Sequence, residues 1–169
     1  MSKTLSLKIS VSINVPKSKV WDALTNPVQI KKYLFGTETV SDWKAGSPIT
    51  FRGVWEGKPY EDKGHIVEIE KNKILKYNYW SNFSGDKDEP SNYSNITYLL
   101  SEEKGRTLFT LRQDNIKTKE AQVQSENNWG MVLNKMKSLL EQWGSWVAFS
   151  LRPQRLKAKP TARLQFNLS

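Results

Sequence analysis

Cysteine is absent from the 169-residue chain. That excludes a disulfide framework, a thiol nucleophile and any zinc site built on thiolates. A single histidine, His65, excludes a multi-histidine metal centre and leaves a Ser-His-Asp triad only one possible base. Glycines are scattered. Gly53, Gly57 and Gly64 are isolated, so no Gly-rich phosphate loop occurs. Long hydrophobic runs are also missing. The longest, Trp146-Val147-Ala148-Phe149, falls far short of the roughly 20 residues a bilayer span needs. Met1-Ser2-Lys3-Thr4 leads straight into a strand pattern without an apolar signal core, so a cytoplasmic protein with no transmembrane segment is the simplest expectation.

What is present fits one globular domain. Apolar residues make up 37% and charged residues 25% of the chain. A domain of this size buries roughly 70% of the surface its unfolded chain exposes, so a core needs no covalent staples. The net charge of +9 is unevenly placed. From residue 143 onward stand Arg152, Arg155, Lys157, Lys159 and Arg163 and no acid, leaving the body near +4. The basic pI is therefore weak evidence for a nucleic-acid partner of the fold itself. The expected organisation is a domain over residues 1–143 and a basic tail over 144–169. The tail is read as a docking strand (Leu164, Phe166, Leu168), a salt-sensitive anion binder or an appended sequence without function. Aromatics among its cations are sparse, which argues against specific nucleic-acid recognition.

Residues 5–15 alternate, with Leu5, Leu7, Ile9, Val11, Ile13 and Val15 apolar. Period two over that length predicts a strand with one buried face. Residues 17–25 fit a short helix, and Asn26-Pro27 reads as the cap and first residue of a second, ending near Gly36. Strands are predicted at 37–43, 48–57, 60–70, 73–80, 93–100 and 106–114, with turns at Gly57-Lys58-Pro59 and Glu103-Lys104-Gly105 and a polar loop over 81–92. Within 73–80, Leu75, Tyr77 and Tyr79 share one parity while Ile74 and Trp80 have the other. Two covered faces or a bulge would explain it. Trp129, Val132, Leu133, Met136, Leu139, Leu140 and Trp143 then form one stripe of a long helix at about 120–143, started by Thr118 or Ser125. The fold class is α+β: a curved antiparallel sheet of six to seven strands around a long C-terminal helix, with two short helices after strand 1.

Four segments carry a resemblance. They are Ile13-Asn14-Val15-Pro16 through Val20-Trp21-Asp22-Ala23-Leu24-Thr25-Asn26-Pro27; Gly64-His65-Ile66-Val67-Glu68-Ile69-Glu70 leading to Leu75-Lys76-Tyr77-Asn78-Tyr79-Trp80; Ser94-Asn95-Ile96-Thr97-Tyr98-Leu99-Leu100; and Trp129-Gly130-Met131-Val132-Leu133-Asn134-Lys135-Met136 through Glu141. Together they resemble the START-like helix-grip (SRPBCC) superfamily, and within it the heat-shock-protein-90 ATPase activator homologues. Asn128 stands where that family often has glycine. The resemblance implies the helix-grip fold and, as one alternative, a chaperone-interacting stress-response module. The eukaryotic activators meet the chaperone through a separate amino-terminal domain, which none of these segments resembles. The motifs are packing residues, so they identify a fold better than a function.

Aromatics are the richest chemical signal. A sheet curled around one helix leaves space between them, a ready apolar pocket. The expected lining is Trp129, Leu133 and Met136 from the helix, facing Phe51, Trp55, Tyr77, Tyr98 and Phe109. The expected role is non-catalytic binding of a hydrophobic or amphipathic small molecule, lipid-like or aromatic, with no cofactor and no metal. The enzyme alternative is a polyketide-cyclase-like reaction with His65 as general base, although no nucleophile or carboxylate is tied to His65 by spacing. The acidic groups Glu61-Asp62, Glu68/Glu70, Asp86/Asp88/Glu89 and Glu102-Glu103 read as solvated.

Overall fold

The computed structural model describes residues 3–144. Apart from Gly144, the expected basic tail, with the docking strand that is one reading of it, lies outside the described residues. Strand β1 (Leu5–Ile13) is followed by helices α1 (Lys17–Thr25) and α2 (Pro27–Tyr33). Strands β2 (Glu38–Ser41), β3 (Pro48–Trp55), β4 (Lys58–Glu70), β5 (Ile74–Ser81), β6 (Ser94–Glu103) and β7 (Arg106–Ile116) come next, then helix α3 (Lys119–Gly144). The sheet order is β1-β7-β6-β5-β4-β3-β2, antiparallel throughout. The meander β2 to β7 is thus closed on one side by β1, and α3 packs against β1, β7, α1 and α2.

Local chemistry sets the element ends. Asn26 Oδ1 accepts the Val28 N–H at 3.0 Å with Pro27 behind it, the expected cap of α2. Thr118 Oγ1 accepts the Ala121 N–H at 3.1 Å, so Thr118 starts α3, while Ser125 is buried within that helix. The turn before β4 lies one residue earlier than expected. Glu56 and Gly57 both take left-handed φ, 47° and 78°, as a two-residue hairpin turn requires. Pro59 then falls inside β4, beyond the reach of β5, where its missing N–H is tolerated.

The two parities of β5 reflect two partly covered faces, with Ile74 and Trp80 half-buried on the outer one, and a bulge lies on the neighbouring strand. Ile66 pairs with Tyr77 but Glu68 with Lys76, so β4 spends an extra residue at Val67. Before the bulge Tyr60, Asp62, Gly64 and Ile66 face inward; after it Ile69 does. β5 itself is regular, with Leu75, Tyr77, Tyr79 and Ser81 buried. Trp80 lies on the outer face, stacked on Tyr93 at 6.5 Å with the Lys63 ammonium over its ring at 5.6 Å.

Two further contacts shape the molecule. The expected polar loop after β5 is pinned: Asp86 pairs with Lys117 at 2.9 Å, and Asp88 with Lys63 and, at 2.5 Å, with the Tyr93 hydroxyl. Lys63 and Tyr93 hold the Asp88 carboxyl below its usual range, while partial burial and Asp88 push Tyr93 up to about 12. On the far side, α3 covers the edge of β1. Gln122 Nε2 donates to the Ser6 carbonyl at 2.7 Å, Lys137 Nζ to the Ser12 carbonyl at 2.9 Å, and the Asn14 N–H to Glu141 Oε1 at 3.0 Å.

Candidate functional site

Between the inner face of the sheet and α3 lies a small chamber. The sheet contributes Phe51 from β3, Tyr60 and Asp62 from β4, Tyr77 and Tyr79 from β5, and Tyr98 from β6. Trp129 of α3 forms its roof, and Leu34 and Thr37, flanking the α2–β2 connection, form one wall. Register explains the convergence. Phe51 pairs with Asp62 across β3 and β4, and Asp62 with Ser81 across β4 and β5, so these side chains share one face.

The rings interlock. Phe51 lies 5.7 Å from Tyr77 and 5.8 Å from Tyr79; Tyr98 lies 5.6 Å from Tyr77, 5.4 Å from Phe109 and 6.2 Å edge-on from Trp129. These are favourable tilted and edge contacts. What they leave is a chamber of about 20 Å³. One water needs about 10–15 Å³ on this measure, so the chamber has no room for a lipid chain.

The lining is more polar than an aromatic core requires. Asp62 is 3% exposed and accepts hydrogen bonds from the Tyr79 hydroxyl and, at 2.6 Å, from Ser81 Oγ. A buried carboxylate without such donors would be expensive. The Tyr77 and Tyr98 hydroxyls share a bond of 2.8 Å, and Thr37 Oγ1 shares one of 2.7 Å with the Tyr60 hydroxyl. Trp129 Nε1 donates to Gln113 Oε1 at 2.8 Å, which fixes the indole plane. Burial raises the Tyr77 and Tyr98 hydroxyls well above the ordinary phenol value; their shared hydrogen bond partly offsets the rise at Tyr77 and adds to it at Tyr98. Both therefore serve as neutral donors and acceptors.

Glycine makes room for two of these positions. A Cβ on Gly53 would stand 2.6–2.7 Å from ring carbons of Tyr60, its cross-strand partner, so the phenol lies directly over the bare Gly53 backbone. A Cβ on Gly64 would run into the Asn78 carbonyl, which allows β4 and β5 to approach closely beside the bulge.

Of the eight expected lining residues, Phe51, Tyr77, Tyr98 and Trp129 border the chamber. The other four do not. Phe109, Leu133 and Met136 are buried in the surrounding core, and Trp55, at the end of β3, is half-buried away from it. His65 is exposed on the outer face of β4, with its N–H on Asn78 Oδ1 at 2.7 Å, and does not reach the chamber. Leu34, Thr37, Tyr60, Asp62 and Tyr79 line the chamber without having been singled out. For Asp62 a signal existed. It shares parity with Gly64 and Ile66, which places it on the apolar face of the strand and away from the solvated pair its neighbour Glu61 suggests.

The family of activator of Hsp90 ATPase homolog 1-like proteins matches residues 14–141. Among solved structures, a Cytophaga hutchinsonii protein is 43% identical, with 86% of this chain and 99% of that one covered and a TM-score of 0.76. CalU16 from Micromonospora echinospora is 21% identical over 85% of this chain and 81% of its own, with a TM-score of 0.64. The Aha1 dimer protein from Colwellia psychrerythraea is 17% identical over 81% and 96%, with a TM-score of 0.65. The last two likenesses concern the fold alone. No curated protein matches the chain. The match spanning most of the described domain settles the membership: this chain belongs to the activator of Hsp90 ATPase homolog 1-like family.

Proposed function

We propose that the domain is a non-catalytic binding module for a small amphipathic molecule with an aromatic or apolar body, held between the sheet and α3. One observation carries the reading. A core needs no polar groups to be stable, yet this one gathers four phenols and a carboxylate around a residual space. Phe51, Leu34 and Trp129 offer apolar contact to a ligand body, and Tyr60, Thr37 and the Asp62–Tyr79 pair offer hydrogen bonds to its head. That division between apolar walls and a few placed polar groups is typical of small-molecule sites. Opening the Thr37–Tyr60 bond and swinging the Tyr60 ring off Gly53 would enlarge the chamber. Compact ring compounds suit such an expansion better than chains of 15–20 carbons.

The test is a thermal-shift and amide-NMR screen of the full chain against indoles, naphthols, flat phenols and C8–C18 fatty acids. A ligand at 100 times its Kd stabilises by about 2.7 kcal/mol, or about 5–11 °C at this chain length. Its shifts should centre on Tyr60, Tyr98 and Trp129. No stabilisation by any compound, with those signals unmoved, refutes the reading.

A second reading rests on family membership: a chaperone-interacting module. Purified chain added to a heat-shock-protein-90 chaperone should then copurify with it and raise its ATP turnover. Absence of both removes it. The cyclase-like alternative has His65 as its base, and an activity unchanged by His65→Ala would end it.

A further inference from the structure

The outer face of the sheet carries a feature unrelated to the chamber. Register places Lys8 of β1 opposite Arg112 of β7, Arg112 opposite Thr97 of β6, and Thr97 opposite Lys76 of β5. Three cations and a hydroxyl therefore form one row across four neighbouring strands. Strands lie about 4.8 Å apart, so the row spans roughly 14 Å. None of the three cations forms an ion pair with another described residue. They border an open depression of about 480 Å³ that also receives Ser6 and Asn95. Its one acid, Asp114, is engaged by the Asn95 N–H at 2.7 Å and by Asn95 Nδ2 at 2.9 Å. Two residues along the strands runs a second row, Ser10, Thr110, Leu99 and Ile74, whose Leu99 and Ile74 are half-buried.

We propose that this face docks a short extended acidic segment of a partner protein, with carboxylates at alternate positions. An extended chain places residues i and i+4 about 13–14 Å apart, the distance from Lys8 to Lys76. Side chains at i, i+2 and i+4 point the same way, so three carboxylates meet Lys8, Arg112 and Lys76 in sequence. The segment lies between the two rows, so its intervening apolar side chains point to the other side, toward Leu99 and Ile74. A nucleic-acid backbone fits less well, because Asp114 and Glu68, the latter opposite Lys76 on β4, bound the row and keep the positive footprint short.

The probe is the peptide acetyl-Ile-Asp-Val-Asp-Leu-Asp-Gly-amide, titrated into the full-length chain at low salt by amide NMR. Shifts are expected at Lys8, Lys76, Thr97, Leu99 and Arg112, with affinity falling steeply as salt is added. Replacing the three acids by asparagine should abolish binding. The variant Lys8→Gln/Lys76→Gln/Arg112→Gln changes exposed or half-exposed residues, and its unaltered spectrum elsewhere would show that it folds. It should bind the peptide at least tenfold more weakly. No binding, undiminished binding by the variant, shifts confined to residues 145–169, or tighter binding of tripolyphosphate or single-stranded RNA than of the peptide would each overturn the proposal.

Discussion

Gly53→Ala tests the architecture of the chamber at one atom. The added methyl would stand 2.6–2.7 Å from the Tyr60 ring, well inside contact distance, so the phenol must leave its place. It cannot leave and keep the 2.7 Å bond to Thr37, a residue 4% exposed. A buried hydroxyl stripped of its partner costs about 1–3 kcal/mol. Against that, alanine loses less backbone entropy than glycine, about 0.5–1 kcal/mol in its favour. The net expectation is a loss of up to about 2.5 kcal/mol, or up to about 10 °C in Tm. The discriminating measurement is a double-mutant cycle by urea unfolding. In a Tyr60→Ala background no ring remains to displace, so Gly53→Ala should become neutral or stabilising by about 0.5–1 kcal/mol. Equal destabilisation in both backgrounds would refute the argument, since the methyl would then be acting on the backbone and not on the phenol.

Three other outcomes follow from the same geometry. Gly64→Ala should be far more damaging than Gly53→Ala, at about 3 kcal/mol or more, because its methyl meets the Asn78 carbonyl and backbone cannot swing aside; amide-exchange protection in β4 and β5 should fall together. The combined change Gln122→Ala/Lys137→Ala/Glu141→Ala strips the side chains that engage the edge of β1, and an uncovered edge is a template for pairing; light scattering should detect self-association that the parent lacks. Stability should also decline in alkali. Tyr33, Tyr77 and Tyr98 are held above the ordinary phenol value, chiefly by burial, so the folded chain retains protons that the unfolded chain releases near pH 10. Their contribution is intact below pH 10 and is lost as pH rises past it. Urea midpoints from pH 8 to 11 should fall above 10, with a shallower fall in Tyr77→Phe; a flat profile would contradict the burial of these phenols.

The fold was readable wherever one signal had one cause. Residues 5–13 alternate because one face of β1 meets the core, and the stripe from Trp129 to Leu140 repeats because α3 presses one side onto the sheet. Asn26-Pro27 marks a helix start because side-chain capping is a local event. Readability failed where two strands share a decision. The mixed parity of β5 fits either a bulge or two covered faces; β5 is regular, with Ile74 and Trp80 half-buried outside, and the bulge that does occur, in β4 at Val67, shows only in the pairing of the two strands. The segment after β5 reads as an unstructured polar loop because its anchors, Lys63, Asn115 and Lys117, lie 24–31 residues away in sequence.

The chamber shows the same limit more sharply, and explains why an aromatic inventory finds only half of it. Aromatic identity locates Phe51, Tyr77, Tyr98 and Trp129, since large rings on inward parity must meet near the helix. Inward position equally selects Phe109, Leu133 and Met136, which are buried in the surrounding core. Whether an inward residue borders a void or closes one depends on its neighbour's volume across the strand. Gly53 beneath Tyr60 is such a case: a missing side chain on β3 decides where a phenol on β4 lies, and that phenol in turn decides where Thr37 finds its hydrogen bond. Asp62 follows the same logic. On parity alone a carboxylate facing inward looks like an error, and the Tyr79 and Ser81 hydroxyls supplied by β5 help make it tolerable. The polar half of the chamber is therefore a property of strand pairs, and it becomes visible once register joins β3 to β4 and β4 to β5.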